Sequence, residues 1–321
     1  MLPHTQTKMK ASLSLILSLL FLPSLAAFQS SIHSPKLRHG PTAVNKLELR
    51  ASNIESSNAA APSAQELKQK LLKSVTDFRF LKKQDGDVAI EFGVKGGELD
   101  KDTRAPQKID FFSISKAVGE KALEIQDICQ TLSQVSSIDE PTRFLGDKEN
   151  GDKAPLNGPW KLLFSTAADA NFNNNSTRGE AKVQNIVNAA KGTITNVIDF
   201  ANKEDGSEPL LKQLNVVIKA TAVSAKRVEL QFKYAKAILT KFFFLKVRWP
   251  LYIPVPGPFI TRCIVFLSRL FRFGKAGGKK VPKAYFDVVY LDQELRVHKT
   301  GEDNLFVQAK ESWNDAKPLL I

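Results

Sequence analysis

Two hydrophobic periods divide the chain. Before residue 140 apolar side chains recur every three or four positions, and after Trp160 they alternate. Leu67, Leu71, Leu72, Val75 and Phe78 share one face of a helix that starts near Gln65. A second helix is predicted within 113–135. Its stripe is Ile114, Val118, Leu123, Ile125, Ile128, Cys129 and Leu132, with Glu120, Lys121 and Glu124 on the other side. Residues 84–110, rich in Gly, Asp and Lys, read as a loop with one short strand at 88–92. Residues 139–159, full of Pro, Gly, Asp and Asn, read as a hinge before the main domain.

The period of two is clearest where Val228, Leu230, Phe232 and Tyr234 alternate with Glu229, Gln231 and Lys233. Leu214, Val216, Ile218, Ala220 and Ala222 repeat it one strand earlier. Phe286, Val288 and Tyr290, then Leu295 and Val297, then Leu305, Val307 and Ala309 predict three short strands near the end. Asp292-Gln293 and Gly301-Glu302-Asp303-Asn304 separate them with turn chemistry. Further strands are expected at 160–165, 181–188, 192–200, 211–223 and 226–248. About eight antiparallel strands with short turns predict a mainly β fold, a closed barrel without free edges, preceded by α-helices. A β-sandwich is the alternative.

The first 27 residues read as a signal peptide: Lys8 and Lys10, an apolar stretch over 11–22, then Pro23 before Leu25-Ala26-Ala27. Twelve apolar residues span only about 18 Å as a helix, short of a bilayer core of about 30 Å. Residues 28–64 read as an organelle transit peptide and linker, which the resemblance given below assigns to a plastid. From Phe28 to Leu47 no acidic residue occurs, while Ser30, Ser31, Ser34, Lys36, Arg38 and Lys46 do, and 51–64 is small and polar. A signal peptide joined to a transit peptide at Ala27-Phe28 resembles the bipartite presequence of proteins imported into complex plastids of red-algal origin. Gln29-Ser30 stands where that motif usually has Ala-Pro. Plain secretion is the alternative, and only then would the acceptor sites in 174–177 carry sugar.

Charge sharpens the picture. The 321 residues carry 46 Lys+Arg against 33 Asp+Glu, a net charge of +13. Twelve of those basic residues lie between Leu230 and Phe286, where no Asp or Glu occurs, so the rest is nearly neutral. Within that stretch 258–283 reads as a basic amphipathic insertion. Phe259, Ile260, Cys263, Ile264, Phe266, Leu267, Leu270 and Phe271 make a broad apolar face, and Arg262, Arg269 and Arg272 line the opposite stripe. Pro258 suits a first helical position and Gly274 a stop. Phe259, Arg262, Phe266, Arg269, Leu270 and Arg272 are thus candidate membrane contacts; a helix capping the core is the alternative. The apolar load argues against a phosphate-tracking nucleic-acid surface.

Catalytic and metal chemistry find little support. Of four histidines, His4, His33 and His39 lie in the leader, and His298 sits between Val297 and Lys299 on a strand face read as surface. Two cysteines, Cys129 and Cys263, exclude a disulfide scaffold and a cysteine zinc cluster. The glycines of 274–280 have the wrong spacing for a P-loop, and Lys280 stands where it needs a hydroxyl. No catalytic residue, cofactor or metal ligand is assigned.

Four stretches carry a family resemblance. Gly158-Pro159-Trp160-Lys161-Leu162-Leu163-Phe164-Ser165-Thr166 resembles the opening strand of the plastid lipid-associated proteins, or fibrillins. Tyr290-Leu291-Asp292-Gln293-Glu294-Leu295-Arg296-Val297 resembles their Tyr-Leu-Asp-x-x-Leu-Arg signature, followed by a matching strand over 301–307. Residues 184–200 and 246–256 resemble two further segments, and the likeness covers roughly 113–312. Residues 258–283 depart from the family, being longer, more apolar and more basic. The resemblance implies a lipocalin-like barrel, here 155–312 after a helical region over 65–140, that binds lipids or prenylquinone-like metabolites at thylakoid or plastoglobule surfaces. It implies that Trp160 closes one end of the barrel with Arg296 lying across it, a cation–π contact. The expected function is therefore noncatalytic lipid binding in the plastid, peripheral to a membrane or lipid droplet. A soluble carrier or scaffold for a hydrophobic metabolite, or a lipocalin-fold enzyme on a plastid lipid or pigment, are the alternatives.

Overall fold

The computed structural model describes residues 62–88, 90, 97–101, 105–135, 137–171, 180–203, 205–241, 248–254 and 284–320. The leader, the acceptor sites in 174–177 and the basic insertion with Phe259, Arg262, Phe266, Arg269, Leu270 and Arg272 lie outside them.

Helix α1 (Ala64–Asp85) begins in a capping box. Glu66 N–H donates to Ser63 Oγ, and Ser63 N–H donates back to the Glu66 carboxylate. Helix α2 (Lys116–Leu132) starts where Ser115 Oγ accepts from Val118 N–H while donating to Asp85 Oδ2 at the far end of α1. With Ser74 bonded to Glu124 and Lys121 paired with Asp77, the helices run antiparallel. The buried stripe of α2 runs through Ala122, and Leu123 is 47% exposed. Ala122 lies four residues after Val118 and three before Ile125, which are the helical neighbour spacings; Leu123 does not share them. No strand forms at Val88 or Ile90.

Nine antiparallel strands follow: β1 (Gly158–Ser165), β2 (Ala181–Asn188), β3 (Thr193–Phe200), β4 (Leu211–Ala222), β5 (Arg227–Leu239), β6 (Trp249–Pro254), β7 (Ala284–Leu291), β8 (Leu295–Thr300) and β9 (Leu305–Ala309). Their order is β4-β3-β2-β1-β9-β8-β7-β5-β6, and β4 pairs with β5 as well. The expected lipocalin-like barrel of about eight strands is corrected to this nine-stranded sheet, which branches at β5 and ends on β6. On one side β5 meets β4 along its length. On the other, Arg227–Leu230 pairs with β7 and Tyr234–Leu239 with β6. Thirteen residues are long enough for two partners in series, an arrangement that a one-neighbour-per-side barrel does not have. Of the expected strand over 226–248 the described part is β5, 242–247 lying outside the described residues, and β6 was hidden by its prolines. Pro250 and Pro254 are tolerated because β6 is the last strand in the order.

Two bulges reverse a predicted face: one between Val288 and Tyr290 turns Tyr290 to the helices while Phe286 and Val288 face inward, and the other lies in β5. Val217 pairs with Tyr234 but Ile218 with Phe232, so Lys233 is the extra residue of β5. Val228 is buried before it and Ala235 and Ala237 after it, which turns Tyr234 outward, 38% exposed.

The sheet has a core on each face. Outside, α1 and α2 bury Leu71, Val75, Phe78, Val118, Ile125 and Leu132 against Phe164, Tyr290, Leu295, Val297 and Val307. Inside, Trp160 packs with Leu156, Val187, Ile194, Ala220, Val228, Phe286, Val288 and Leu291. A further inner cluster joins Val216, Ile218, Ala235 and Ile253. The segment read as a hinge is a plug across the Trp160 end. Leu156 is fully buried, and Ile138, Phe144 and Leu145 pack on the same cluster. Thr142 Oγ1 donates to Ser224 O at 2.7 Å and Gly146 N–H to Ala189 O, tying the plug to two strand turns. A Cβ on Gly151 would lie 2.3 Å from the Ala190 backbone, so only glycine fits there.

A buried clasp docks the helices on the sheet. Lys68 Nζ donates to Asp292 Oδ2 at 2.8 Å and to Glu294 Oε2 at 2.5 Å, and lies 4.9 Å from the centre of the Trp313 ring. Burial alone would raise the Asp292 carboxyl, but Lys68 and the amides of Leu295 and Glu294 outweigh it and hold it below the usual carboxylate range. Burial likewise opposes the Lys68 charge, and the two carboxylates overcome it. Lys68→Met is expected to cost about 2–3 kcal/mol in denaturant unfolding, below the 3–5 of a fully buried pair because both carboxylates touch solvent. A depressed Asp292 stabilises fully above about pH 4, where an unfolded Asp titrates, and ceases to do so as pH falls through the folded value. Unfolding midpoints between pH 7 and pH 2.5 should therefore drop less steeply for Asp292→Asn than for the parent chain.

Candidate functional site

Strand β8 has the period of two and serves both cores. Leu295 and Val297 face the helices, and Arg296, His298 and Thr300 point the other way. Register carries that inner face around the sheet, since Arg296 stands opposite Gln308, Gln308 opposite Leu162, and Trp160 opposite Asn185. It continues from Asn185 to Asn196, Val216 and Ala235.

Arg296 is fully buried, with its guanidinium 5.1 Å from the centre of the Trp160 ring. Its Nε donates to Gln308 Oε1 at 2.8 Å, and Nη2 donates to Asn185 Oδ1 at 2.6 Å and also to Gln308. Asn185 in turn donates to Asn196 across β2 and β3. Among the described residues no carboxylate pairs with Arg296, and burial pulls its pKa down to about 9, which leaves it charged at neutral pH. Lys310 Nζ lies 4.8 Å from the same indole, its pKa lowered by burial and then by Arg296. Trp160 is held by the bond from its Nε1 to Leu156 O at 2.8 Å, the plug supplying the acceptor.

His298 is not at the surface. It is 7% exposed, stacked on Phe306 at 5.0 Å with 2° between planes and tilted against Phe286 at 4.7 Å. Burial and then the Arg296 charge hold its pKa well below the usual value, so the ring is neutral at neutral pH. Lys299, beside it in sequence, faces the helices, so the two neighbours lie on opposite faces of β8.

The signature residues divide between the two faces. Gly158 opens β1 at φ +102°, a conformation that favours glycine. Leu291 is buried beside Trp160, whereas Tyr290 and Leu295 face the helices. Tyr290 Oη donates to Asp292 Oδ2 at 2.9 Å, and Asp292 closes the β7–β8 turn while receiving Lys68. Sequence reasoning missed Lys68, Asn185, Gln308 and Lys310. Only Lys68 left a signal, as a basic residue inside an apolar helix face.

This arrangement offers a neutral imidazole, a guanidinium and amide groups on an otherwise apolar wall, a chemistry of recognition. Burial pushes the Cys129 thiol up to about 12, so it is not a nucleophile at neutral pH. Among the described residues no group of His, Cys, Asp and Glu could hold a metal, and no helix is long and apolar enough to cross a membrane. A cleft of about 60 Å³ between α2 and the strands, lined by Gln126, Cys129 and Lys299, is too small for a lipid.

Residues 115–309, more than half of the chain, match the family model PAP_fibrillin, that of the plastid lipid-associated proteins. No curated protein and no solved structure matches the chain.

Trp160→Phe keeps an aromatic ring but strands the Leu156 carbonyl and weakens both cation contacts. It should cost about 2 kcal/mol in equilibrium unfolding, the penalty of an unpaired buried acceptor plus part of a cation–π term.

Proposed function

The chain belongs to the plastid lipid-associated protein (fibrillin) family, and from that premise we propose that it holds a lipid or hydrophobic metabolite on the inner face of its sheet while resting on a membrane or lipid-droplet surface. Family members are noncatalytic proteins that bind lipids or hydrophobic metabolites, and this chain is a noncatalytic lipid-binding protein. The family is generally plastid-associated, at thylakoids or plastoglobules. In this reading Trp160 and Arg296 close one end of the inner face.

The membrane reading rests on where the basic stretch leaves the sheet. Strands β6 and β7 both run antiparallel to β5, one after the other, with Pro254 opposite Tyr234 and Ala284 opposite Leu230. The 255–283 stretch stands where three residues would have continued one strand. At that exit the Tyr234 and Tyr252 rings lie 6.1 Å apart at a tilt of 48°, Tyr252 is 58% exposed, and Lys236 Nζ lies 5.6 Å from its ring. Exposed tyrosines beside lysines suit a headgroup layer, where one end of the ring is apolar and the other wet.

Seven basic residues in 255–283, without an acidic one, add attraction to an anionic leaflet. Each contributes on the order of 1 kcal/mol near the surface, decaying over about 10 Å at 0.1 M salt. Arg262, Arg269 and Arg272 changed together to Glu should weaken sedimentation with liposomes containing phosphatidylglycerol and steepen its salt dependence. Phe259 and Phe266 changed to Ser should remove the binding that survives high salt. A parent chain that stays in the supernatant at low salt would sink the membrane reading and leave a soluble carrier.

Delivery to a complex plastid by signal and transit peptides is part of the same proposal. A fluorescent protein behind residues 1–60 should enter the plastid, and Phe28→Ala should leave much of it outside; unchanged import would remove the bipartite reading.

A further inference from the structure

The inner face of β8 carries a row of buried polar atoms that the protein does not satisfy. Arg296 Nη1, His298 Nδ1 and Thr300 Oγ1 have no hydrogen-bond partner among the described residues, although Arg296 uses its other nitrogens on Gln308 and Asn185. They stand at alternate positions of one strand, about 7 Å apart from each to the next. The charge is unbalanced as well. Arg296 and Lys310 flank one indole, and Asp292, the acid that acts on Lys310, is engaged by Lys68 and Tyr290. Gln308 and Asn185 offer dipoles but no counter-charge. A buried guanidinium that lacks one gains most from a carboxylate, whose oxygens accept strong charge-assisted bonds.

The rest of the face is apolar. Phe286 and Phe306 enclose His298, and Ile218, Phe232, Leu251 and Ile253 line the part built by β4, β5 and β6. Leu230 and Leu251 are only partly buried, which leaves hydrocarbon surface for an acyl chain.

We propose that the ligand of the inner face is a long-chain carboxylic acid, its carboxylate on Arg296 Nη1 beside His298 and its tail along the β4–β6 wall. The carboxylate supplies the missing counter-charge, and Asn185 and Gln308 hold the guanidinium in place. This rests on the lipid-binding reading above and adds the head group to it.

The test compares cis-parinaric acid with its methyl ester, titrated into the full chain below the critical micelle concentration and read by probe fluorescence. The acid should bind about tenfold or more tighter than the ester, as loss of a charge-assisted bond implies. Arg296→Gln, checked for folding by near-ultraviolet circular dichroism, should bring the two within about twofold, since its amide can bond the ester nearly as well as the acid. Should that variant not fold, the parent chain still decides: the Arg296 guanidinium NMR signal should shift with the acid and not with the ester. Equal binding of acid and ester would overturn the carboxylate site, leave Nη1 to a buried water and keep the lipid-binding reading. An acid preference that survives in folded Arg296→Gln would place recognition on surface lysines and also overturn it. Binding of neither probe would overturn the inner-face reading itself.

Discussion

A guanidinium without a counter-ion among the described residues is the constraint around which the sheet is arranged. Removing Arg296 from water carries a cost of several kcal/mol for a buried ion, and the surrounding strands offset it in pieces. Strand β1 supplies the Trp160 ring, β2 the Asn185 amide and β9 the Gln308 carbonyl. Each must stand in one register, because a slip of one residue turns every one of these side chains to the opposite face. The plug then follows from Trp160, whose indole N–H needs an acceptor in the interior and finds it at Leu156. A single buried charge thereby specifies the pairing of four strands and the path of a segment rich in Gly and Pro.

The signature around Arg296 joins this interior to the helices. Its alternate residues work on opposite faces, Leu291 and Arg296 inward, Tyr290 and Leu295 outward. Asp292, in the turn between, shapes the hairpin through the amides of Glu294 and Leu295 and receives Lys68 from 224 residues away. One short stretch thus couples the inner site to the helical layer, so displacement of α1 would loosen the hairpin that carries Arg296.

Much of this was legible in the chain because it depends on local period. The helix faces, the turn chemistry and eight of the nine strands follow from spacing of three and four or of two. What escaped depends on partners remote in sequence. Strand β6 is proline-rich, and prolines argue against a strand unless its place at the sheet's end is known. The Lys233 bulge moves Tyr234 outward, and no residue type announces a bulge before the facing strand is fixed. His298 read as surface because it lies on the strand face opposite Val297, yet that face has a core of its own. The closed lipocalin-like barrel assumed one neighbour on each side of every strand, and β5 serves two partners on one side. Trp160 and Arg296 could be named together only through a family likeness, since 136 positions separate them and neither is unusual alone.

The branch at β5 also bears on how a membrane-facing surface and an inner lipid site could share one protein. Between Leu230 and Tyr234 the β5 backbone passes from one partner strand to the next, and Phe232, in that interval, belongs to the inner apolar cluster. Neither β6 nor β7 pairs with Gln231, Phe232 or Lys233. The outward side of the same point carries Tyr234 and Tyr252, and the inward side carries the hydrocarbon wall that would receive an acyl chain. In the proposed reading a lipid from the headgroup layer meets the hydrocarbon wall here, tail first, with Arg296 at the far end of the row to meet the carboxylate. The extra residue at Lys233 and the change of partner strand beside it are the features that bring surface and interior together.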